Sequence, residues 1–324
     1  MSDDDNQTIQ HFYSTGVNCS QKIKIDANTN IFEIIVTFPV TLFGGLFNVI
    51  ALWVFCCRMR KWTETRIYMV NLAMADFTIV FTLPFITYFH YSAWPKDYFC
   101  KVVSAIYCIN MPMSNSLVTL IALDRYIAIK HPLKAKALRS PQKAIIISLF
   151  LWLLYVLFPL MAQVIRSNND QEYCFYPTTE YSLSFLFYIL VFFISLLILI
   201  FCSTQIIRCL KEKQNTSLRE EKLTRKALCI ISVNMGAFIV CFLPFNLSLL
   251  VRYGADAAGV DCFVRNAVNK AVFIALCISH LNCCLDAICY YLVAKEFQEA
   301  ASFLPRFQLK QSRSNFTQDS QLQS

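Results

Sequence analysis

The stretch Phe185-Leu186-Phe187-Tyr188-Ile189-Leu190-Val191-Phe192-Phe193-Ile194-Ser195-Leu196-Leu197-Ile198-Leu199-Ile200-Phe201-Cys202 carries no charge, no glycine and no proline. A helix this long crosses about 30 Å of hydrocarbon. It shows no period-2 alternation, so a barrel strand is a poor fit. A backbone facing lipid must also satisfy its own hydrogen bonds, which a helix does internally. Six other stretches read the same way. The seven predicted spans cover 31–57, 67–91, 100–129, 142–165, 181–208, 226–251 and 267–292.

Composition supports a membrane protein and excludes its competitors. Of 324 residues, 56% are hydrophobic and only 15% are charged, whereas soluble domains carry roughly 25% charge. Six glycines are too few for collagen, flexible linker arrays or Gly-rich phosphate loops. The expected fold is therefore all-α, a seven-transmembrane helix bundle. It has a tail over 1–30, the bundle over 31–292, a short amphipathic eighth helix over 293–304 and a polar tail over 305–324. In the eighth helix Phe297, Ala301 and Leu304 would face the membrane surface.

Seven spans place the termini on opposite sides, and charge decides which. With the N-terminus outside, 21 of the 29 lysines and arginines fall on the cytoplasmic side, as the positive-inside rule requires. The start, Met1-Ser2-Asp3-Asp4-Asp5, is acidic where a secretory signal needs a basic region, so the first span is expected to act as its own insertion signal. The sequons at Asn6 and Asn18 then lie outside, where glycosylation is available. The expected location is the plasma membrane, and no nucleic-acid partner is expected. The basic third loop, Lys211 to Lys226, would face anionic membrane lipids or a protein partner. Ser312, Ser314, Thr317 and Ser320 are phosphorylation candidates, and modification there would add negative charge to the tail.

Fifteen cysteines reduce to four on the outer side: Cys19, Cys100, Cys174 and Cys262. Four cysteines allow three connectivities, and spacing does not choose among them. The others lie in spans or near the reducing cytosol, where a thiol behaves as a small apolar group; Cys56-Cys57 is alternatively a lipidation site. No CxxC pair comes with matching histidines, so a zinc site is not expected.

Intramembrane charge is costly, about 2.5–3.5 kcal/mol per residue on insertion scales, which makes such residues functional candidates. Asp76 and Asp286 stand deep in the second and seventh spans. Asn110 and Ser114 share a face of the third span, and Asn282 lies one turn before Asp286. One set of oxygens around a small cation such as sodium explains them together; interhelical hydrogen bonding without an ion is the other reading. At the inner end of the third span, Asp124-Arg125-Tyr126 sets opposite charges side by side. An Asp that holds an Arg aside and later releases it makes a switch, and an ordinary interfacial pair is the alternative. Pro84, Pro112, Pro159 and Pro244 introduce bends. Phe238 and Phe242, six and two residues before Pro244, form either a rotating aromatic switch or core filling.

Taken in order, these features resemble the rhodopsin-like G-protein-coupled receptors. The residues that carry the resemblance are Asn48 after Gly44-Gly45, Leu72-Ala73-Met74-Ala75-Asp76, Asp124-Arg125-Tyr126, Trp152, Cys241-Phe242-Leu243-Pro244 and Asp286-Ala287-Ile288-Cys289-Tyr290. The likeness covers about residues 30–305, and its branch also resembles lysophospholipid and purine receptors. It implies that Asp124, Arg125 and Tyr126 engage a heterotrimeric G protein, expected to be of the Gi/o or G12/13 class. It further implies that Phe238, Phe242, Pro244 and Tyr290 act in activation, and that Asp76, Asn110, Ser114 and Asp286 line a pocket for an allosteric sodium ion. The pairings Cys100–Cys174 and Cys19–Cys262 are likewise implied by the resemblance.

Several positions depart from the family pattern. Ala287 stands where the seventh helix usually has proline, so the usual hinge is expected to be absent. Ser195 and Ser203 replace a proline and a tyrosine of the fifth helix, and Phe242 replaces the commoner tryptophan. Met111 and Ala162 stand where the nearest branch carries arginines, while Arg252 is retained and Lys270 adds a cation to the seventh span. With Arg265, Lys101 and Arg166, these would surround a cavity lined by Tyr88, Tyr107 and Phe273. Tyr107, Met111, Arg252 and Lys270 are the expected ligand contacts, and an arginine fork suits an anionic ligand, either a small aromatic acid or a lysophospholipid. Asp256, Asp261, Glu172 and Glu180 oppose this by making the outer face acidic overall.

The expected function is transduction rather than catalysis. A transporter using Asp76 and Asp286 as an ion relay is the rival, but internal repeats and Gly-broken spans, its usual marks, are missing. A hydrolase ranks third, since neither HExxH nor GxSxG occurs.

Overall fold

Every apolar stretch is helical in the computed structural model, and among the described residues seven helices are long and apolar enough to cross a membrane. The described residues are 27–293, apart from 59–61, 93, 96, 132, 134, 136–138, 166–173, 175–182 and 213–217. The sequons, Cys19, the serine-rich tail and nearly all of the expected eighth helix lie outside them. The first to seventh spans are Thr29–Arg58, Glu64–Ser92, Tyr98–Lys130, Pro141–Phe158, Leu186–Cys209, Ser232–Ala257 and Cys262–Cys289. The end carrying Cys100 and Cys174, read from charge as outward, is the outer end below.

Caps set the boundaries that hydropathy leaves loose. The third span starts where the Asp97 side chain accepts the Cys100 amide at 2.7 Å, a side-chain cap on an otherwise orphaned donor. The seventh begins at Cys262 rather than near 267, because Asp261 caps the Val264 amide in the same way. The sixth ends in a reciprocal pair, the Val260 amide to the Ala255 carbonyl and the Gly259 amide to the Asp256 carbonyl. Gly259 lies between them at φ 62°, the left-handed conformation that this helix stop requires.

Two spans are irregular. The first contains wide π turns at Val40–Gly44 and Val54–Arg58. A Cβ on Gly44 would sit 2.8 Å from the Cys283 sulfur, so only glycine lets the first and seventh spans approach this closely. The seventh is broken at His280–Leu281, between helices Cys262–Ser279 and Asn282–Val293. There the amides of His280, Leu281, Cys283 and Cys284 each reach back three residues instead of four. The break lies six residues before Ala287, and the helix Asn282–Val293 runs on through that position.

The third span is the centre of the bundle, packing against the second, fourth, fifth and sixth. Met113 and Leu117 on it are fully buried, and they share a core with Phe192, Phe238, Phe242 and Ala287. Phe192 stacks on Phe238 at 5.4 Å, and Phe242 meets Phe238 edge-on. Large apolar side chains such as Phe38, Ile146 and Leu197 are more than half exposed, as lipid-facing positions should be.

Candidate functional site

Inside the bundle the second, third and seventh spans converge on a polar cluster. Asp76 and Ser114 are fully buried, and Asn110, Asn282 and Asp286 nearly so. The Asn110 amide donates to the Ala75 carbonyl at 2.9 Å and, at longer range, to Asp76 Oδ1 and Ser114 Oγ. Asn282 donates to Asp286 Oδ2 at 2.6 Å, and Asp286 lies within coulombic range of Asp76. Asp76 Oδ2 is buried without a hydrogen-bond partner. An orphaned carboxylate oxygen in an apolar bundle is expensive unless a cation or proton meets it. Two carboxylates with hydroxyl and amide oxygens nearby suit a small hard cation, so these residues fit sodium. Among the described residues no group of three or more His, Cys, Asp or Glu is placed to hold a metal ion, so any cation here would depend on the Asn and Ser oxygens as well.

Asn48 anchors the cluster from the first span. Its amide donates to the Gly44 and Cys283 carbonyls, both at 3.0 Å. The Cys283 carbonyl belongs to the broken turn, so Asn48 braces the irregular part of the seventh span. Trp152 braces the other side, donating its indole N–H to Asn71 at 2.8 Å.

At the inner end, Asp124 is gripped from both sides. Arg139 donates from Nε to Oδ1 at 2.7 Å and from Nη2 to Oδ2 at 3.0 Å, a fork-on-fork pair. Thr65 donates its hydroxyl to Oδ2, and Arg139 also reaches Glu64 at 3.2 Å. Arg125 makes no hydrogen bond or ion pair among the described residues. Asp124 is thus hydrogen-bonded to Arg139, which the loop ahead of the fourth span delivers to the carboxylate, while Arg125 stays within coulombic range of it. Tyr126 packs edge-on against His131 and Phe201.

The outer mouth is laced together. Cys100 and Cys174 are disulfide-bonded, and the Cys174 amide donates to the Trp94 carbonyl at 2.8 Å. Cys262 is also disulfide-bonded; Cys19, its expected partner, lies outside the described residues. Arg265 is held bidentately by Asp256, at 2.7 Å from both Nε and Nη2. Deeper in, Glu33 meets His90 Nδ1 at 2.9 Å and accepts from Thr87 at 3.2 Å, and Tyr107 bonds His280 Nε2 at 2.8 Å.

Residues 47–290 match the 7 transmembrane receptor (rhodopsin family) as a whole. The chain belongs to this family. The receptor is 43% identical to G-protein coupled receptor 35 of Homo sapiens over 80% of its own length and 82% of the relative's. It is 38% identical to that receptor of Mus musculus, over 87% and 92%. Lysophosphatidic acid receptor 6 of Mus musculus is 32% identical, over 87% and 89%. Membership makes it a multi-pass G-protein-coupled receptor and not an enzyme.

In the receptor, Asp76, Asn110, Ser114 and Asp286 lie close together. Phe238 and Phe242 lie in the core beside the third and fifth spans, and Pro244 lies in the same helix. Arg252 and Lys270 are half-buried near the outer ends of the sixth and seventh spans, and Met111 is half-buried between the central core and an outer cluster around Phe245 and Val272. Arg265 is committed to Asp256, and Tyr88 is exposed and leans on Trp94, so neither joins the expected cavity lining. The side chains of Ala162, Arg166 and Tyr290 lie outside the description. Sequence reasoning missed Arg139, Thr65 and Glu64 around Asp124, and Glu33, His90 and His280 above the central cluster. A glutamate inside the first span was the visible signal for that second group, under the same rule that singled out Asp76.

Proposed function

We propose that the receptor binds an extracellular anionic ligand, a small aromatic acid or a lysophospholipid, and activates a Gi/o or G12/13 protein at the plasma membrane. The observation that supports this is the placement of Arg252 and Lys270, two half-buried cations near the outer ends of neighbouring spans. A relative's printed name, lysophosphatidic acid receptor, supports the same chemistry. The N-terminus is outside, and Arg125 meets the G protein at the inner end, followed by arrestin once the tail is phosphorylated. Ligand binding shifts a two-state equilibrium in which the inner half of the sixth span bends at Pro244.

The test is a panel of acidic metabolites and lysophosphatidic acid read with G-protein sensors, alongside ion flux. Arg252→Glu is expected to weaken acidic agonists at least about tenfold, equivalent to about 1.4 kcal/mol. Unchanged potency for every acidic agonist overturns the ligand class, and flux without a G-protein response overturns coupling.

Sodium is the second part of the proposal. Asp76, Asn110, Ser114 and Asp286 would hold it, and the ion would supply positive charge to the buried carboxylates. Replacing sodium with choline is expected to change agonist affinity in the wild type. Asp76→Asn is expected to abolish that dependence while leaving surface expression intact. A sodium effect that persists in the variant sends the ion elsewhere.

A further inference from the structure

The inner end of the first span carries two adjacent thiols, outside the polar cluster and the outer mouth described above. Cys56 and Cys57 are both exposed and lie in the π turn Val54–Arg58, where the span ends. They continue a lipid-facing stripe: Leu46 is 52% exposed, Val49 49% and Trp53 45%. The neighbouring Val54 and Phe55 point the other way and are buried. The sequence Arg58-Met59-Arg60-Lys61 follows at once, and the Arg58 guanidinium sits over the Trp53 ring, 5.2 Å from its centroid. The thiols therefore lie where apolar surface meets a basic boundary. Cys108 is also exposed, but it lies inside the third span, away from any aqueous acyl donor. Cys209, at the inner end of the fifth span, is only partly exposed.

We propose that Cys56 and Cys57 are a site of S-acylation by a long-chain fatty acyl group; this rests on the N-outside orientation. A Cys thiolate attacks the carbonyl carbon of an acyl-coenzyme A thioester. The new sulfur–acyl bond forms as the bond to coenzyme A breaks, and the departing coenzyme A thiolate takes up the proton that the cysteine released. No oxidant or reductant is involved. The basic run attracts the phosphates of the donor, and the attached chain lies in the inner leaflet along Trp53, Val49 and Leu46. Juxtamembrane cysteines are the chemical type acylated in this way.

The experiment is hydroxylamine-dependent acyl exchange with mass tagging on the full-length receptor in cells, after reduction and thiol blocking. Wild type is expected to show two tags, Cys56→Ser and Cys57→Ser one each, and the double variant none, with surface level and G-protein response retained. Cys209→Ser is expected to match wild type. No tag on wild type, or tags that survive in the double variant, overturns the proposal. Orientation is read separately with a membrane-impermeant thiol reagent and Cys56/Cys57 variants: reaction at these thiols is expected only in permeabilised cells after hydroxylamine. Reaction in intact cells overturns the orientation itself.

Discussion

Asp124 has an arginine beside it in the chain, yet it is held by one 15 residues away. The choice follows from helix geometry: consecutive residues point about 100° apart, so neighbours in sequence do not face each other. Arg139 arrives from the following loop with its fork aligned, and leaves Arg125 available at the inner end. Arg139→Ala is expected to lose about 1–2 kcal/mol of charge-assisted hydrogen bonding and to free Asp124 to turn on Arg125. Agonist-evoked G-protein activation at equal surface level should fall several-fold, with Arg139→Lys intermediate because an ammonium cannot grip both oxygens. An undiminished response would mean that Asp124 restrains nothing. Asp124 and Arg125 were legible in the sequence as charges at a membrane boundary. Arg139 was not, since nothing in a basic loop marks which cation a fold will deliver.

Among elements, the first span shows how local irregularity answers tertiary contact. Its π turns and Gly44 let Asn48 bridge to the Cys283 carbonyl. Gly44→Ala forces a Cβ to 2.8 Å from the Cys283 sulfur and 3.3 Å from Val80. Overpacking of this kind costs about 1–3 kcal/mol, so the melting temperature of the solubilised receptor should fall. Gly236→Ala has nothing within 4 Å of the new Cβ, and should be neutral or slightly stabilising through helix propensity. Equal melting temperatures for the two variants would remove the close-approach explanation. The spans were legible because about 20 apolar residues cannot be hidden in water. The break at His280–Leu281 was not, because no proline or glycine marks it. It coincides with contacts from two other spans, Tyr107 on His280 and Asn48 on Cys283, and such contacts leave no local signal. The central carboxylates were legible for the opposite reason: an unmatched charge in an apolar run stands out before any contact is known.

For the whole molecule, the outer face is stapled covalently, and among the described residues no disulfide is found at the inner face. The Cys100–Cys174 bond spans 74 residues of chain and holds the second outer loop to the start of the third span. Cys100→Ser or Cys174→Ser is expected to lower stability by about 2–4 kcal/mol and to reduce surface level and agonist binding together. Retained binding in the face of a lower melting temperature would show that the Trp94 contact alone seats the loop. The family, the fold and the charge asymmetry were legible at this scale, because each is a sum over many residues. The lining of the outer cavity was less so: Arg265 and Tyr88 looked available until their neighbours were known.

The Asp256–Arg265 pair and the Gly259 stop weld the outer ends of the sixth and seventh spans into one rigid corner. The bend proposed at Pro244 would then act on the far side of that residue. The helix runs on to Leu218, a lever of about 40 Å at 1.5 Å per residue. A turn of about 10° at the proline sweeps its inner tip by about 7 Å. In the proposed mechanism this corner would serve as a fulcrum, gearing a shift of a fraction of an ångström at the outer pocket up into a motion at the opposite face.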